Sequence, residues 1–104
     1  MCGIFGCLTL NGKKPDEKSI TKAVNSLKHR GPDDHGIAKF ENVILGHRRL
    51  SIIDLTTGAA KQPVISQVSL MAFNGMIYNF KEIKKTLSLS VTFKGNSDTE
   101  VLAK

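Results

Sequence analysis

Apolar and polar positions along the chain first form a strand pattern and then a helical one. The apolar, partly β-branched run from Ile4 to Leu10 predicts a buried strand, which Asn11-Gly12 ends in a turn. After Pro15-Asp16, apolar residues recur at helical spacing and predict a helix that Asp16 caps and that ends near Lys28. The apolar face of this helix consists of Ile20, Ala23, Val24 and Leu27.

The middle of the chain predicts a loop followed by two strands. Residues 29–36 contain two Gly, one Pro and two Asp, which favour a loop without regular structure. Residues 37–40 and 43–50 are apolar enough to predict two strands joined at Glu41-Asn42, with residues 51–53 as an extension of the second. Residues 54–63, rich in Thr, Gly and Ala, predict a second loop.

The last third predicts one strand, a helix, a short strand and the start of another helix. A strand over 68–73 ends at Asn74-Gly75, and Asn79 can cap a helix that continues to about Leu87. A short strand over 90–94 and a turn at Gly95-Asn96 precede a capping box at residues 97–100. Many strands and few helices predict the α+β class, and a helix that starts so near Lys104 suggests a truncated chain or a fragment.

Composition limits the class of protein. The chain has 104 residues, of which 40% are hydrophobic, so one small domain with a modest core is expected. No apolar run approaches the ~20 residues of a membrane span, and no signal peptide is visible, so we expect a cytoplasmic protein without a membrane partner. The net charge of +6 comes from scattered lysines without interleaved aromatic residues, which indicates a solvated surface rather than a nucleic-acid site.

The two cysteines raise different questions. Cys2 and Cys7 are five residues apart, so on one strand they would point to opposite faces and could not bond to each other. Removal of Met1 would leave a thiol and a free α-amine together on Cys2. Since the reference pKa values of these groups are about 8.5 and about 8, the amine can accept the thiol proton. This chemistry is typical of an N-terminal nucleophile. His29, His35 and His47 lack the spacing of metal ligands, so no metal site is expected.

Five sequence blocks occur in the order and at the intervals of a known family. They are MCGIFG at 1–6, HRGPD at 29–33, HRRLSIID at 47–54, NGMIYN at 74–79 and SDTE at 97–100. The chain therefore resembles the N-terminal glutaminase domain of the asparagine synthetase family, which comprises class II amidotransferases of the N-terminal-nucleophile fold. The resemblance implies an αββα sandwich of antiparallel sheets, incomplete in this chain. Residues 1–104 would be the N-terminal part of a type 2 glutamine amidotransferase domain, whose remainder and synthetase domain are absent. β-Lactam-forming and cell-surface-polysaccharide relatives share enough of the pattern to stay open.

The resemblance also implies a role for each site residue. Cys2 would attack the side-chain amide of glutamine, form a thioester and release ammonia, after which water releases glutamate. The Asn74 side chain and the Gly75 N–H would form the oxyanion hole. Arg49 would bind the α-carboxylate of glutamine and Asp98 its α-ammonium group, so that glutamine within a polypeptide is refused. The structural alternatives are a plain Asn-Gly turn and simple helix capping by Asp98.

Supporting residues follow from the same resemblance. Backbone groups of Leu50, Ser51, Ile52 and Ile53 would line the substrate pocket. Arg30 and Gly31 would lie in a loop beside the nucleophile, with Arg30 orienting the Cys2 terminus or the neighbouring backbone. Arg48, next to Arg49, is expected to be a surface charge on the opposite face of the strand.

Met76 departs from the family pattern, which usually has Glu at this position to hold the substrate amine. Methionine cannot pair with an ammonium group, so a raised KM for glutamine is expected, with less effect on kcat. The chain contains no ATP-binding loop of the pyrophosphatase type. No cofactor is therefore expected in this domain, and ATP and Mg would belong to a synthetase domain or subunit that receives the ammonia.

Two other functions compete with the enzyme. The first is a catalytically inactive or truncated amidotransferase-like module with a binding or assembly role. An uncovered sheet would then predict self-association or partner binding. The second, nucleic-acid binding, rests on the basic charge alone.

Overall fold

The computed structural model describes residues 1–51 and 61–104, which form an α+β structure with antiparallel sheets, as predicted. No helix in the described residues is long and apolar enough to cross a membrane. In chain order the elements are β1 (Gly3–Leu8), α1 (Glu17–Ser26), β2 (Asp34–Phe40), β3 (Val43–Arg49), β4 (Val64–Ile65), β5 (Leu70–Met71), α2 (Phe80–Leu87) and α3 (Asp98–Leu102).

The larger sheet has the strand order β1-β3-β2, and both pairings are antiparallel. β2 and β3 form the hairpin predicted at Glu41-Asn42, where Glu41 adopts a positive φ of 53°. In the β1–β3 ladder Gly3 is opposite Arg48. This register places the residue that precedes β1 beside the residues that follow β3, so Cys2 meets Leu50.

α1 covers one face of this sheet and has the predicted apolar side and cap. The Asp16 carboxylate accepts a hydrogen bond from the Ser19 N–H at 3.2 Å. Val24, only 1% exposed, packs against Gly46 of β3, and Leu27 packs against Gly3 of β1. Close contact between helix and sheet therefore depends on glycine in both strands.

The opposite face of β1 carries apolar side chains toward solvent. Ile4 and Leu8 are 43% and 58% exposed, whereas Gly3 and Phe5 on the other face lie toward α1. In this part of the chain the sheet is thus covered on the α1 side, and Ile4 and Leu8 remain exposed on the other. Self-association through this face remains a prediction.

β2 begins earlier than predicted. The loop expected over 29–36 is wrong for residues 34–36, which pair with Arg49, Arg48 and His47 of β3. Gly36 looked like a loop residue because it lacks a side chain. It is needed in the strand because a Cβ there would overlap the carbonyl oxygen of Gln62.

The second sheet differs from the prediction in both of its strands: β5 is shorter than expected, and β4 was not predicted. The strand expected over 68–73 is reduced to the two residues of β5 (Leu70–Met71), which pair with β4 (Val64–Ile65). The Ser66 N–H donates to the Ser69 carbonyl at 2.9 Å and closes the turn between the two strands. A ladder of two residues has no periodicity long enough to recognise in a sequence.

The short strand expected over 90–94 is wrong, because this segment pairs with no strand in the described residues. The backbone N–H groups of Lys94 and Gly95 instead donate to the Glu100 carboxylate at 2.6 and 2.8 Å. The Ser97 hydroxyl accepts from the Glu100 N–H at 3.1 Å and caps α3, which is one half of the predicted capping box, whereas the Glu100 carboxylate is engaged by Lys94 and Gly95. The extension of β3 is also wrong at its first residue, since β3 ends at Arg49. Residues 52–60, including most of the predicted second loop, lie outside the described residues.

The contact between Val24 and Gly46 gives a stability prediction. A Cβ at Gly46 would overlap the Val24 methyl group, whereas at Gly6 it would meet Leu45 at an ordinary 3.5 Å. Gly46→Ala is therefore expected to lower the free energy of unfolding by about 1–3 kcal/mol through overpacking. Gly6→Ala serves as the matched control and should change stability by less than about 0.5 kcal/mol. Urea unfolding measures both variants, and equal effects would contradict the packing account.

Candidate active site

A cavity of about 270 Å³ opens where the start of β1, the end of β3, the segment after β5 and the beginning of α3 meet. This volume suits a small molecule rather than a folded partner. The cavity brings together most of the predicted site residues: Cys2, Arg49, Leu50, Asn74, Gly75, Met76 and Asp98. It is also lined by Met1, Gln62, Phe73, Ser97 and Thr99.

The Cys2 thiol is held by the backbone of Leu50. The Leu50 N–H donates to Sγ at 3.4 Å, and Sγ lies 3.8 Å from the Leu50 carbonyl oxygen, which can accept from the thiol. The sulfur is thereby held by backbone groups of the residue that follows β3. Met1, which directly precedes Cys2, also lies in the cavity wall.

The loop before β2 contacts the Cys2 terminus. The Arg30 Nε donates to the Cys2 carbonyl oxygen at 3.2 Å. Gly31 lies so close to β3 that a Cβ would overlap the backbone of Arg48 and Arg49. Glycine at position 31 therefore lets the loop approach β3 and carry Arg30 to Cys2.

Arg48 corrects a prediction. It was expected to be a surface charge, but it is only 5% exposed, and its Nε donates to the Gly31 carbonyl oxygen at 2.9 Å. Although its side chain points away from that of Arg49, the face it occupies is covered by the loop. Arg48 thus fastens the loop whose Arg30 contacts Cys2.

Asp33, to which the sequence analysis gave no role, fixes the end of β3. Its N–H donates to the Arg49 carbonyl oxygen at 3.0 Å, and its carboxylate accepts from the Ser51 N–H at 2.7 Å. Ser51 therefore turns its N–H toward Asp33 and does not line the cavity, while Leu50 does. Ile52 and Ile53, also predicted in the pocket, lie outside the described residues.

Asp98 presents a fixed carboxylate to the cavity. It is only 6% exposed, and its two oxygens accept from the backbone N–H groups of Ile77 at 3.0 Å and Thr99 at 2.9 Å. Ser97 caps α3 by accepting from the Glu100 N–H, and Asp98 also takes the capping role that was its structural alternative, since it accepts from the first-turn N–H of Thr99. Its carboxylate is available to a cation in the cavity.

Arg49 provides the opposite charge. It ends β3, where it pairs in register with Asp34, and it lines the same cavity as Asp98. One cavity thus holds a guanidinium and a carboxylate, which complement the carboxylate and ammonium of a free amino acid. Met76 lines the same cavity and is 40% exposed.

Asn74 and Gly75 follow β5 and lead toward α2, so they do not form the hairpin turn that was the structural alternative. The preceding residue is held on both sides: the Phe73 N–H donates to Gln62 Oε1 at 2.5 Å, and the Phe73 carbonyl oxygen lies 3.3 Å from His47 Nε2. The Phe73 ring packs so closely on Gly75 that a Cβ there would overlap it. Both residues are thereby fixed in the cavity wall.

The three histidines lie in different environments. His29 Nδ1 lies 3.0 Å from the Ser26 carbonyl oxygen, His35 is exposed, and His47 is buried. Across residues 1–51 and 61–104, no group of three His, Cys, Asp or Glu side chains could hold a metal ion.

His47 is only 1% exposed, and burial lowers its pKa below the usual 6.5. The Phe73 carbonyl opposes this shift, the Arg49 charge reinforces it, and Asp34 opposes it. The imidazole is therefore neutral at pH 7, with a proton on Nε2 that it donates to Phe73.

This lowered pKa predicts a loss of stability in acid. Below about pH 6.5 this histidine binds a proton in the unfolded chain, whereas folded His47 stays neutral until the pH reaches its lower folded pKa. The free energy of unfolding therefore falls as the pH is lowered from about 6.5 toward the folded pKa. The slope contributed by one such group reaches at most about 1.4 kcal/mol per pH unit. Urea unfolding at several pH values between about 7.5 and 5 measures it.

The matched variants for this test are His47→Gln and His35→Gln. His47→Gln should lose this part of the pH dependence, although it is less stable at neutral pH. His35→Gln changes an exposed histidine and should keep the wild-type slope. If His47→Gln also keeps that slope, His47 is not the group that titrates.

Comparison with known proteins agrees with these observations. A family model described as glutamine amidotransferase domain matches residues 1–104. The chain is 38% identical over 106 residues to asparagine synthetase (glutamine-hydrolyzing) 1 of Bacillus subtilis (strain 168), which covers 98% of the chain and 17% of that relative. It is 36% identical over 105 residues to asparagine synthetase B (glutamine-hydrolyzing) of Escherichia coli (strain K12), with 98% and 19% covered. It is 37% identical over 106 residues to asparagine synthetase (glutamine-hydrolyzing) 3 of Arabidopsis thaliana, with 99% and 18% covered. The chain thus spans less than a fifth of the length of these relatives.

Proposed function

Since the chain belongs to the glutamine amidotransferase domain family, we propose that it hydrolyses glutamine to glutamate and ammonia, with Cys2 as the nucleophile. The observation that carries this proposal is the single cavity that joins Cys2, Arg49, Asn74, Gly75 and Asp98. A nucleophile, two oxyanion donors and groups for both ends of an amino acid are the parts that this reaction requires.

Substrate binding follows from the two charges in the cavity. The Arg49 guanidinium pairs with the α-carboxylate of glutamine, and the Asp98 carboxylate accepts from its α-ammonium group. Ile77 and Thr99 hold Asp98 by their N–H groups, so its carboxylate is oriented before the substrate arrives. A glutamine residue within a polypeptide lacks both charged ends and is refused.

The reaction starts once Met1 has been removed. The free α-amine of Cys2 accepts the thiol proton, and Sγ attacks the side-chain amide carbon of glutamine. The resulting oxyanion accepts from the Asn74 side chain and the Gly75 N–H. Collapse of this intermediate breaks the C–N bond, and the nitrogen takes the proton from the ammonium group and leaves as ammonia.

The second half of the reaction regenerates the enzyme. The α-amine, neutral again, accepts a proton from a water molecule that attacks the thioester carbonyl. The same two donors, Asn74 and Gly75, stabilise the second oxyanion. Its collapse breaks the C–S bond, returns the proton to sulfur and releases glutamate. Arg30 holds the Cys2 carbonyl throughout and keeps amine and thiol in place.

The wider assembly is part of the same proposal. Residues 1–104 form the N-terminal part of a type 2 glutamine amidotransferase domain with the αββα sandwich fold of N-terminal-nucleophile hydrolases. The ammonia passes to a synthetase domain or subunit, since the relatives are named as glutamine-hydrolysing asparagine synthetases. ATP and Mg would bind to that synthetase part and not to this domain. The exposed face of β1, with Ile4 and Leu8, suits contact with further apolar structure.

Glutamate release tests the proposed nucleophile. Cys2→Ala should lower the rate at least about a thousandfold, because no other group forms the thioester. Cys7→Ala changes the other free cysteine and should keep the wild-type rate within about twofold. Absence of Cys2-dependent release from the folded, Met1-free chain would favour a non-catalytic module.

Retention of Met1 should abolish the same activity. An acylated Cys2 nitrogen cannot accept a proton, and Met1 lies in the wall of the cavity. Mass spectrometry identifies the two forms of the chain, and each is assayed separately. Equal rates for both forms would exclude the α-amine as the base.

Met76→Glu tests the departure at position 76. An added carboxylate in the cavity wall would pair with the substrate ammonium, so KM for glutamine should fall several-fold while kcat stays within about twofold. Met76→Gln has the same shape without the charge and should leave KM near the wild-type value. A KM that Glu does not lower would count against this account of position 76.

A further inference from the structure

Gln62 lies in the cavity wall and bridges two parts of the site. Its Oε1 accepts from the Phe73 N–H at 2.5 Å, and its Nε2 donates to the Thr99 hydroxyl oxygen at 3.5 Å. Phe73 directly precedes Asn74 and Gly75, and Thr99 directly follows Asp98. One carboxamide therefore connects the segment of the proposed oxyanion donors to the helix that carries the proposed ammonium ligand.

The backbone of Gln62 is itself anchored on the larger sheet. Its carbonyl oxygen approaches Gly36 of β2 so closely that a Cβ on Gly36 would overlap it. The side chain thus starts from a packed position, and its reach to Phe73 is set by the sheet.

Phe73 is held from its other side by His47. The buried imidazole donates from Nε2 to the Phe73 carbonyl oxygen at 3.3 Å, while Gln62 accepts from the Phe73 N–H. With both backbone groups engaged, Phe73 cannot rotate without losing a partly buried hydrogen bond. The shorter of the two contacts is the one to Gln62.

We propose that Gln62 is a positioning residue for the oxyanion hole, which it aligns by holding the Phe73 backbone. The proposal rests on the function proposed above. It assigns Gln62 no contact with the reacting atoms. Loss of its acceptor would leave glutamine bound by Arg49 and Asp98 but would misalign Asn74 and Gly75. The effect should therefore fall on kcat rather than on KM.

The experiment compares Gln62→Leu and Gln62→Glu in the Met1-free chain. Gln62→Leu removes the acceptor at nearly constant volume, and Gln62→Glu keeps an acceptor oxygen for the Phe73 N–H. Each rate is divided by the concentration of Cys2 that an electrophilic glutamine analogue labels. Unfolded molecules, which are not labelled, are therefore excluded from kcat. Gln67→Leu, the same change at an exposed glutamine, is the matched control.

Gln62→Leu should lower kcat about 10- to 100-fold, less than the complete loss of an oxyanion donor, with KM for glutamine within about twofold. Gln62→Glu should recover most of that loss, and Gln67→Leu should equal the wild type. If Gln62→Leu does not fold, Gln62→Asn replaces it. Its side chain is one carbon shorter and should give the same loss.

A second measurement separates alignment of the hole from general damage. The aldehyde analogue of glutamine forms a thiohemiacetal on Cys2 whose oxygen occupies the oxyanion position, whereas glutamate only binds. In Gln62→Leu the affinity for the aldehyde should fall by about the same factor as kcat, and the affinity for glutamate should not change.

Several results would overturn the proposal. They are a wild-type kcat in Gln62→Leu, a Gln62→Glu rate as low as that of Gln62→Leu, or an equal loss of affinity for the aldehyde and for glutamate. Each of these leaves the proposed function intact as long as the wild-type chain releases glutamate in a Cys2-dependent way. Without that release in the wild type, the proposed function and this inference fail together.

Discussion

The antiparallel pairing of β1 with β3 is the constraint on which the site depends. Because Gly3 is opposite Arg48, the backbone of Leu50 lies against the thiol of Cys2, and Arg49 enters the cavity beside it. Cys2, the proposed nucleophile, is therefore positioned by a backbone ladder, which a single surface substitution does not displace. Helix α1 braces the same ladder through the Val24–Gly46 contact.

A set of polar side chains, of which His47 and Arg48 are buried, surrounds this ladder and fastens its neighbours. Arg48 fastens the loop that carries Arg30, Asp33 fixes the end of β3, and His47 and Gln62 hold Phe73. Among the described residues, no buried side-chain nitrogen or oxygen lacks a hydrogen-bond partner. Buried polar groups that are fully satisfied give a well-defined geometry, which is what electrostatic stabilisation of an oxyanion requires.

Local sequence patterns predicted the elements that have an apolar face or a helix-capping residue. The helical spacing from Ile20 to Leu27, the Asp16 cap and the β2–β3 hairpin could be read because each depends on neighbours in the sequence. The strand expected over 90–94 shows the limit. Val91 and Phe93 alternate with more exposed residues as in a strand, yet the Lys94 N–H is engaged by Glu100.

Similar limits apply to the site. The family resemblance supplied most of the residues that line the cavity, because its blocks contain them, but it did not supply Gln62 and Phe73. Arg48, Asp33 and Gln62 were missed because their roles depend on distant partners: Gln62 meets Phe73 and Thr99, which are 11 and 37 residues away in the sequence. Nothing in a Gln-Pro pair within a polar segment indicates such contacts, and only the folded chain brings them together.

The most direct test of the account is a crystal structure of the Met1-free chain labelled with a diazoketone analogue of glutamine, which alkylates a reactive thiol. The account predicts an adduct on Cys2 with its carbonyl oxygen within hydrogen-bonding distance of the Asn74 side chain and the Gly75 N–H, its carboxylate on Arg49 and its ammonium group on Asp98. An adduct on Cys7, or one on Cys2 that points away from Asn74 and Arg49, would contradict it.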